Sequence, residues 1–199
     1  MKKLPLALGT GVLTLTLALT GCSTANAPTG TGTSSSAPSS TKANDADKMF
    51  VTMMIPHHQQ AIEMSDLVLK KTGLDTNVAS LAQQIKDAQA PEVAQMRGWL
   101  TAWGVKETTP SSGMRGMDHG TTGDGMMTDA DMAALKAADA KDAGRLFLTQ
   151  MIAHHKGAVD MAQKEVADGQ NPDTVALAKK VIEAQTAEIA TMQKMLDQL

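Results

Sequence analysis

Apolar residues recur every three or four positions along most of this chain, a spacing that places them on one face of an α-helix. Helical stretches are predicted over about 45–71, about 75–103, a third ending at Gly169, and a fourth running nearly to Leu199. Gly73 is predicted at the C′ position that ends the first helix, and Asn171 followed by Pro172 is typical of a helix start. No stretch alternates in the way of a β-strand. The pattern predicts an all-α protein.

The second half of the chain repeats the first. Residues 50–64 match 147–161 at an offset of 97, and residues 81–100 match 177–196 at an offset of 96. Each copy is one helical hairpin, and two such hairpins bury their apolar faces best against each other. We therefore expect an antiparallel four-helix bundle with a pseudo-twofold axis. Pro56, which is Ala153 in the other copy, is expected to kink the first helix.

The bundle is expected to cover residues 45–199, as repeat one at 45–104, a crossover at 105–127 and repeat two at 128–199. A short helix is expected to begin at Thr128–Asp129, before the third long helix. Residues 22–44 are rich in Ser, Thr, Ala, Pro and Gly, which is typical of a disordered tether.

The first 21 residues have the features of a signal peptide, with Lys2 and Lys3 before an apolar stretch that is short for a membrane span. The stretch ends in Leu-Thr-Gly-Cys, which resembles a bacterial lipobox. That resemblance implies cleavage before Cys22 and lipidation of its thiol. Loss of the two lysines takes the formal charge from −3 to −5, which disfavours nucleic acid as a partner.

Four of the five histidines occur as two pairs inside the repeated phrase, and methionines flank each pair. At helical spacing, Met54 precedes His58 by one turn and Met64 follows His57 by two turns, and the second copy repeats this order. Imidazole and thioether are soft ligands that suit Cu(I). The candidate ligands in the bundle are His57, His58, His154, His155, Met54, Met64, Met151 and Met161.

The crossover carries a second candidate motif, Met114-Arg115-Gly116-Met117-Asp118-His119, followed by Gly125-Met126-Met127. No helical stripe accounts for these methionines, and the surrounding glycines indicate an exposed loop. Methionine next to histidine in such a loop resembles the Met/His motifs of exported copper-resistance proteins, which implies Met114, Met117 and His119 as candidate ligands of an open, exchangeable copper site. The alternative is that this segment is only a flexible linker.

Two other interpretations remain open. Methionine at helical spacing is often core filler, and a metal-free envelope interaction module would use these residues only in that way. Glu92 and Glu188, together with four histidines, also suggest a ferritin-like oxidase or oxidoreductase. Such di-iron sites use Glu-x-x-His, however, and methionine occupies positions 54 and 151 where that glutamate is required. The two glutamates are instead expected to orient imidazoles or simply to pair locally.

The phrases Met-Ile-Pro-His-His-Gln-Gln-Ala and Met-Ile-Ala-His-His-Lys-Gly-Ala, each followed by Gln-x-x-Glu-(Val/Ile)-x-x-Met, resemble the exported bacterial family of domain of unknown function (DUF) 305. The resemblance covers residues 45–199. It implies a ferritin-like four-helix bundle and, because some members are periplasmic copper-binding proteins, a role in copper tolerance. It favours the four paired histidines and their neighbouring methionines as ligands.

The sequence thus predicts an exported lipoprotein of the bacterial cell envelope, facing the periplasm or the exterior and anchored through Cys22. It is expected to bind copper, chiefly Cu(I), for sequestration or transfer, and not to be an enzyme or to hold an organic cofactor. Copper-handling proteins are possible partners, and the oligomeric state is left open.

Overall fold

The computed structural model describes residues 42–107 and 124–199, and within these ranges the chain forms five α-helices and no strand. The prediction of an all-α protein is confirmed. The helices are α1 (Asp45–Leu69), α2 (Thr76–Ala102), α3 (Asp129–Ala137), α4 (Ala140–Asp168) and α5 (Pro172–Leu196). The predicted signal peptide, Cys22 and nearly all of the predicted tether lie outside the described residues.

The helix starts follow from short polar side chains that accept hydrogen bonds from the first free backbone N–H groups. Asn44 forms a capping box with Asp47 at α1, and Thr128 forms one with Asp131 at the short helix α3. Asp75 caps α2, and Asn171 caps α5 with Pro172 in its first turn. The predicted starts of these four helices are confirmed.

Two details of the helices differ from the sequence-based expectation. The cap at the end of α1 is Lys70, so Gly73 is not at the C′ position; it lies further on, in the turn to α2, with a φ of 86°. Pro56 lies inside α1, which continues as one helix on both sides of it, and Pro91 lies in the same way inside α2.

The helices pack as two pairs, α1 against α2 and α4 against α5, and α1 also packs along α4. All four long helices contribute to each of two buried apolar clusters. The first cluster contains Phe50, Ile55, Leu100 and Val181, and the second contains Val68, Ile85, Leu148 and Phe147. Leu135 attaches α3 to the second cluster. The core is therefore divided along the bundle into two apolar regions.

Within the described ranges, none of the five helices has the length and apolar character that a membrane span requires.

Candidate metal centre

The four paired histidines occupy the middle of the bundle, between the two apolar clusters. In α1, His57 and His58 come after Ile55 of the first cluster and before Ala61 of the second. In α4, which runs in the opposite direction, His154 and His155 come after Met151 of the second cluster and before Ala158 of the first. All four side chains are at most 1% exposed, and His58 is fully buried although helical spacing, about 100° from His57, predicts it at the edge of the inward face. The two helices thus create one buried layer of imidazoles.

The imidazole rings of His57 and His154 pack against each other where α1 contacts α4. Their ring centroids are 3.7 Å apart, and the ring planes are tilted by 36°. Burial, with smaller contributions from the neighbouring His58 and His155, lowers the pKa of His57 from 6.5 to about 3, against the opposing effect of its hydrogen bond to the Asp124 carbonyl. Burial and the neighbouring histidines also hold the pKa of His154 well below 6.5, against a weak opposing pull from the His57 carbonyl. Both rings are therefore neutral at physiological pH, as metal binding requires.

The outer histidine of each pair is oriented by a glutamate on the partner helix of its own hairpin. The Nε2 of His58 lies 2.8 Å from the Glu92 carboxylate, and the Nε2 of His155 lies 2.6 Å from the Glu188 carboxylate. A carboxylate only accepts, so Nε2–H is the donor and, in the neutral ring, Nδ1 carries the lone pair. The expectation that these glutamates orient imidazoles is met by this geometry.

Each ring of the layer has an Nδ1 atom without a hydrogen-bond partner among the described residues, and the Nε2 of His154 is likewise without one. The Nε2–H of His57 donates to the Asp124 carbonyl at 2.8 Å, which leaves its Nδ1 as an acceptor. The Nδ1 atoms of all four histidines are buried, and within the described residues they have no hydrogen-bond partner of good geometry. Burying such groups without partners is costly. Four lone pairs are thus held inside the protein in a state that suits a metal ligand.

Six buried methionines flank this layer, three in each apolar cluster. Met54, Met96 and Met161 belong to the first cluster, and Met64, Met151 and Met192 belong to the second. We call these the first and second methionine sets. The repeat relates them, since Met54 corresponds to Met151, Met96 to Met192 and Met161 to Met64. The candidate ligands Met54, Met64, Met151 and Met161 are thus all buried beside the layer, whereas Met96 and Met192 belong with them and were not singled out as ligands.

The nitrogen and carboxylate groups do not form a metal site by themselves. No group of three or more His, Cys, Asp or Glu side chains is arranged to hold a metal ion in the ranges 42–107 and 124–199. Glu92 and Glu188 are each occupied by a histidine. Among the described residues, a site with three or more ligands in this layer would therefore have to include methionine sulfur beside imidazole.

Residues 124–127, the end of the crossover, lie on the bundle instead of forming part of an exposed loop as expected. Met127 and Gln60 pair through two hydrogen bonds, from the Gln60 amide to the Met127 carbonyl at 2.8 Å and from the Met127 N–H to the Gln60 side chain at 2.7 Å. Met127 also packs on the second cluster. The candidate ligands Met114, Met117 and His119 lie outside the described residues.

Gln89 and Gln185 are a further buried polar pair that the sequence analysis did not include among the candidate ligands. Each is 3% exposed, and neither side-chain oxygen has a hydrogen-bond partner in the described part of the chain. They precede Glu92 and Glu188 by three residues and correspond to each other in the repeat. The signal in the sequence was the presence of glutamine at the same place in both copies, on the face that also carries Met96 or Met192.

Comparison with known proteins gives one family and several solved structures. The profile of the family described as domain of unknown function (DUF305) matches residues 47–196. A DUF305 fragment from Deinococcus radiodurans is 32% identical, with a TM-score of 0.70, and the match covers 79% of this chain and 99% of that one. A DUF305 protein from Streptomyces coelicolor, described as secreted, is 36% identical, with a TM-score of 0.68 and coverage of 77% and 91%.

The third similar structure is that of CopM in its Cu(I)-bound form. It is 31% identical to this chain, with a TM-score of 0.62, and the match covers 76% of this chain and 96% of that one. CopM has also been solved in Cu(II)-bound, silver-bound and apo forms. No curated protein matches the chain.

Proposed function

The chain belongs to the family of domain of unknown function DUF305, and from this premise we propose that it binds copper as Cu(I) through imidazole nitrogens and methionine sulfurs in the middle of its bundle. The observation that carries the proposal is the layer of four buried Nδ1 atoms without hydrogen-bond partners, flanked by the two methionine sets. Soft ligands of this kind favour Cu(I) over Zn²⁺ or Mg²⁺. That the related CopM has been solved with Cu(I) and with silver supports this choice of ion.

The arrangement favours two ions, one on each side of the histidine layer. The layer supplies nitrogen to both sides, and each side has its own methionine set. Because Cu(I) accepts two to four ligands without a rigid geometry, one or two imidazoles and one or two thioethers suffice for each ion. The copper is cargo for storage or transfer, and no catalytic step is part of the proposal.

The same layer argues against the rival proposal of a ferritin-like oxidase. A di-iron site uses glutamates that bridge or chelate the metals. Here Glu92 and Glu188 hold His58 and His155 by hydrogen bonds, and methionines stand where further carboxylates are required. We therefore propose a binding protein, folded as an antiparallel ferritin-like four-helix bundle of two hairpins.

The proposal places the protein in the cell envelope. The Streptomyces relative described as secreted supports export. The lipobox-like sequence before Cys22 supports a lipid anchor, with residues 22–44 as the tether between membrane and bundle. Mass spectrometry of the protein from a bacterial membrane fraction tests this, because a diacylglycerol on Cys22 and loss of residues 1–21 are the expected result.

Anaerobic titration with Cu(I) against a chromogenic chelator tests the copper proposal. Wild-type protein is expected to withdraw Cu(I) from the chelator, whereas a variant with His57, His58, His154 and His155 all changed to Gln is expected to lose most of this capacity. Met49→Leu/Met53→Leu is the matched control, since both methionines are in α1 but are 64% and 43% exposed and lie outside the two sets.

If the wild-type protein does not compete with the chelator for Cu(I), the copper proposal is wrong. Equal capacity in the wild type and the four-histidine variant would exclude the histidine layer as the site and leave the methionine sets and the crossover. In that case a variant with Met114→Ser, Met117→Ser and His119→Gln tests the crossover, and an unchanged stoichiometry in it would remove the crossover as a site too.

A further inference from the structure

Residues 124–127 form a strap that crosses from α1 to α4 over the histidine layer. On the α1 side, the Gln60 side chain holds Met127 by two hydrogen bonds. On the same side, the Asp124 carbonyl accepts the Nε2–H of His57. The strap therefore touches the layer itself and not only its surroundings.

On the α4 side, two glycines allow the strap to approach the helix. A Cβ atom on Gly157 would collide with the carbonyl group of Asp124, and a Cβ atom on Gly125 would collide with the Ala153 carbonyl. Gly125 also has a φ of 71°, which favours glycine. The backbone of the strap thus lies directly against α4, with no room for side chains between them.

The strap explains the clearest difference between the two copies of the repeated phrase. Gln60 in the first copy corresponds to Gly157 in the second. One of these residues holds the strap and the other makes space for it. Because a single strap crosses a pseudo-symmetric pair of helices, the two positions have different tasks and therefore different residues.

We propose that the strap, positioned by Gln60 and Gly157, covers the His57/His154 pair and must lift before a metal ion enters or leaves. This inference rests on the proposed copper site for its function, but its structural part concerns the apo protein. The strap also fixes the tautomer of His57, because the Asp124 carbonyl requires N–H at Nε2 and so leaves Nδ1 free for a metal.

Histidine modification by diethyl pyrocarbonate in the apo protein tests the strap without any metal. Gly157→Ala should force the strap off α4, and the modification of His57 and His154, measured by peptide mapping, should accelerate about tenfold because the open state becomes more populated. Gly144→Ala is the matched control. Gly144 is also a buried glycine of α4, but a Cβ atom there meets Leu74 and Val78 only at ordinary contact distances of 3.7 and 3.8 Å.

Gln60→Leu provides a second route in case Gly157→Ala does not fold. It removes both hydrogen bonds to Met127, which should raise the modification rate of the same two histidines about five- to tenfold. Its control is Gln59→Leu, because Gln59 is the neighbouring, exposed glutamine. Rates equal to wild type in both Gly157→Ala and Gln60→Leu would overturn the strap as a cover.

The rate of silver transfer to a thiol competitor tests the functional part. Both strap variants should release Ag(I) about tenfold faster than their controls while binding the same number of ions. Faster modification with unchanged silver release would overturn the strap as a gate for the metal. If no variant and no wild-type protein binds silver or copper, the proposed function fails while the modification experiment still decides whether the strap covers the histidines.

Discussion

At the scale of single residues, the decisive feature is a set of imidazoles that are buried without being satisfied. An unpaired buried polar atom costs stability, and among the described residues this layer holds five such nitrogen atoms, two of them on His154, which destabilises the apo protein. The protein limits this burden by keeping His57 and His154 neutral, as their lowered pKa values show. The neutral state of these two rings therefore affects both the stability of the apo protein and its ability to bind a metal ion.

The lowered pKa of His57 predicts a loss of stability in acid. The unfolded chain takes up a proton at this residue below about pH 6.5, whereas the folded protein does not do so until about pH 3. The contribution of His57 to stability is therefore fully present above about pH 6.5 and is lost as the pH drops toward 3. One pKa unit corresponds to about 1.4 kcal/mol, so His57 should cost about 2 kcal/mol at pH 5.

Urea unfolding of the metal-free protein at pH 8, 7, 6 and 5 measures this effect. The variant His57→Gln should lose less stability between pH 7 and pH 5 than the wild type, by the amount that His57 contributes. Parallel curves for the two proteins over this range would show that His57 titrates normally in the folded state and would contradict the prediction.

The sequence allowed the inward direction of His57 and His154 to be predicted, because helical periodicity decides which residues share a face. The full burial of His58 was not predicted, since its spacing places it at the edge of that face, and the pairing of the glutamates with imidazoles was one of two expected roles. It did not allow the contact between His57 and His154 to be predicted, since that depends on the rotation and height of α1 relative to α4. The bond from His57 to Asp124 was equally out of reach, because it joins residues 67 positions apart through the backbone of a loop.

At the scale of elements, the two ends of the bundle differ: equivalent positions in the repeat make polar contacts at one end and apolar contacts at the other. At one end, Asp47 of α1 accepts hydrogen bonds from the N–H groups of Gln170 and Asn171 and from the Thr174 hydroxyl. At the other end, the positions equivalent to Asp47 and Thr174 are Gly144 and Val78. A polar network thus joins the start of α1 to the turn between α4 and α5, whereas small and apolar residues pack at the equivalent place.

Glu165, a buried carboxyl group at this polar end, is expected to make the stability of the fold depend on pH. It is 2% exposed, its oxygens have no partner of good hydrogen-bond geometry within the described residues, and it lies close to Asp47. Burial raises its pKa from 4.5 to about 7, and the nearby charges of Asp47 and Asp168 act in the same direction. Gly169 follows it closely, and a Cβ atom there would collide with the Glu165 carboxyl group.

The raised pKa predicts that Glu165 destabilises the fold as the pH rises. Its contribution is fully present below about pH 4.5 and is lost as the pH rises to about 7, because the unfolded chain ionises first. Glu165→Gln, which resembles the protonated acid, should therefore gain stability relative to the wild type between pH 5 and pH 8, on the order of 1 to 3 kcal/mol.

Thermal unfolding of the two proteins at pH 5 and pH 8 checks this prediction, and Glu183→Gln, an exposed glutamate of α5, is the control. A constant difference between wild type and Glu165→Gln at both pH values would contradict it. The helix starts were predictable because their caps are local in sequence, but this network was not, since it joins residues about 120 positions apart.

At the scale of the whole molecule, the duplication distributes the methionines between the two sides of the histidine layer. Exchange of methionine for leucine keeps the volume nearly constant and usually costs less than about 1.5 kcal/mol. The thioether sulfur is therefore removable without removing the core, and the copper proposal is separable from packing.

Two triple variants are predicted to lose one ion each. Met54→Leu/Met96→Leu/Met161→Leu removes the first set, and Met64→Leu/Met151→Leu/Met192→Leu removes the second. Each should stay folded by circular dichroism and lower the stoichiometry of tightly bound Ag(I), measured by mass spectrometry, by one. Full stoichiometry in both triple variants would mean that the methionines are only core residues.

The bundle could be predicted from the repeat because two similar amphipathic hairpins have few ways to bury their faces. The division of the core into two clusters was not predicted, since it requires the heights of all four helices to be known. For that reason Met96 and Met192 were not chosen as ligands, although each copy carries one at the same place.

Each methionine set draws its members from both copies of the repeat, and this has a consequence for the origin of the chain. The first set takes Met54 and Met96 from one hairpin and Met161 from the other, and the second set does the reverse. A single hairpin contains three of these methionines, but they are divided between the two sets and complete neither. It would complete both sets only by pairing with an identical hairpin about a twofold axis. The doubled chain is thus the covalent counterpart of a symmetric dimer, in which fusion freed residues such as Gln60 and Gly157 to diverge.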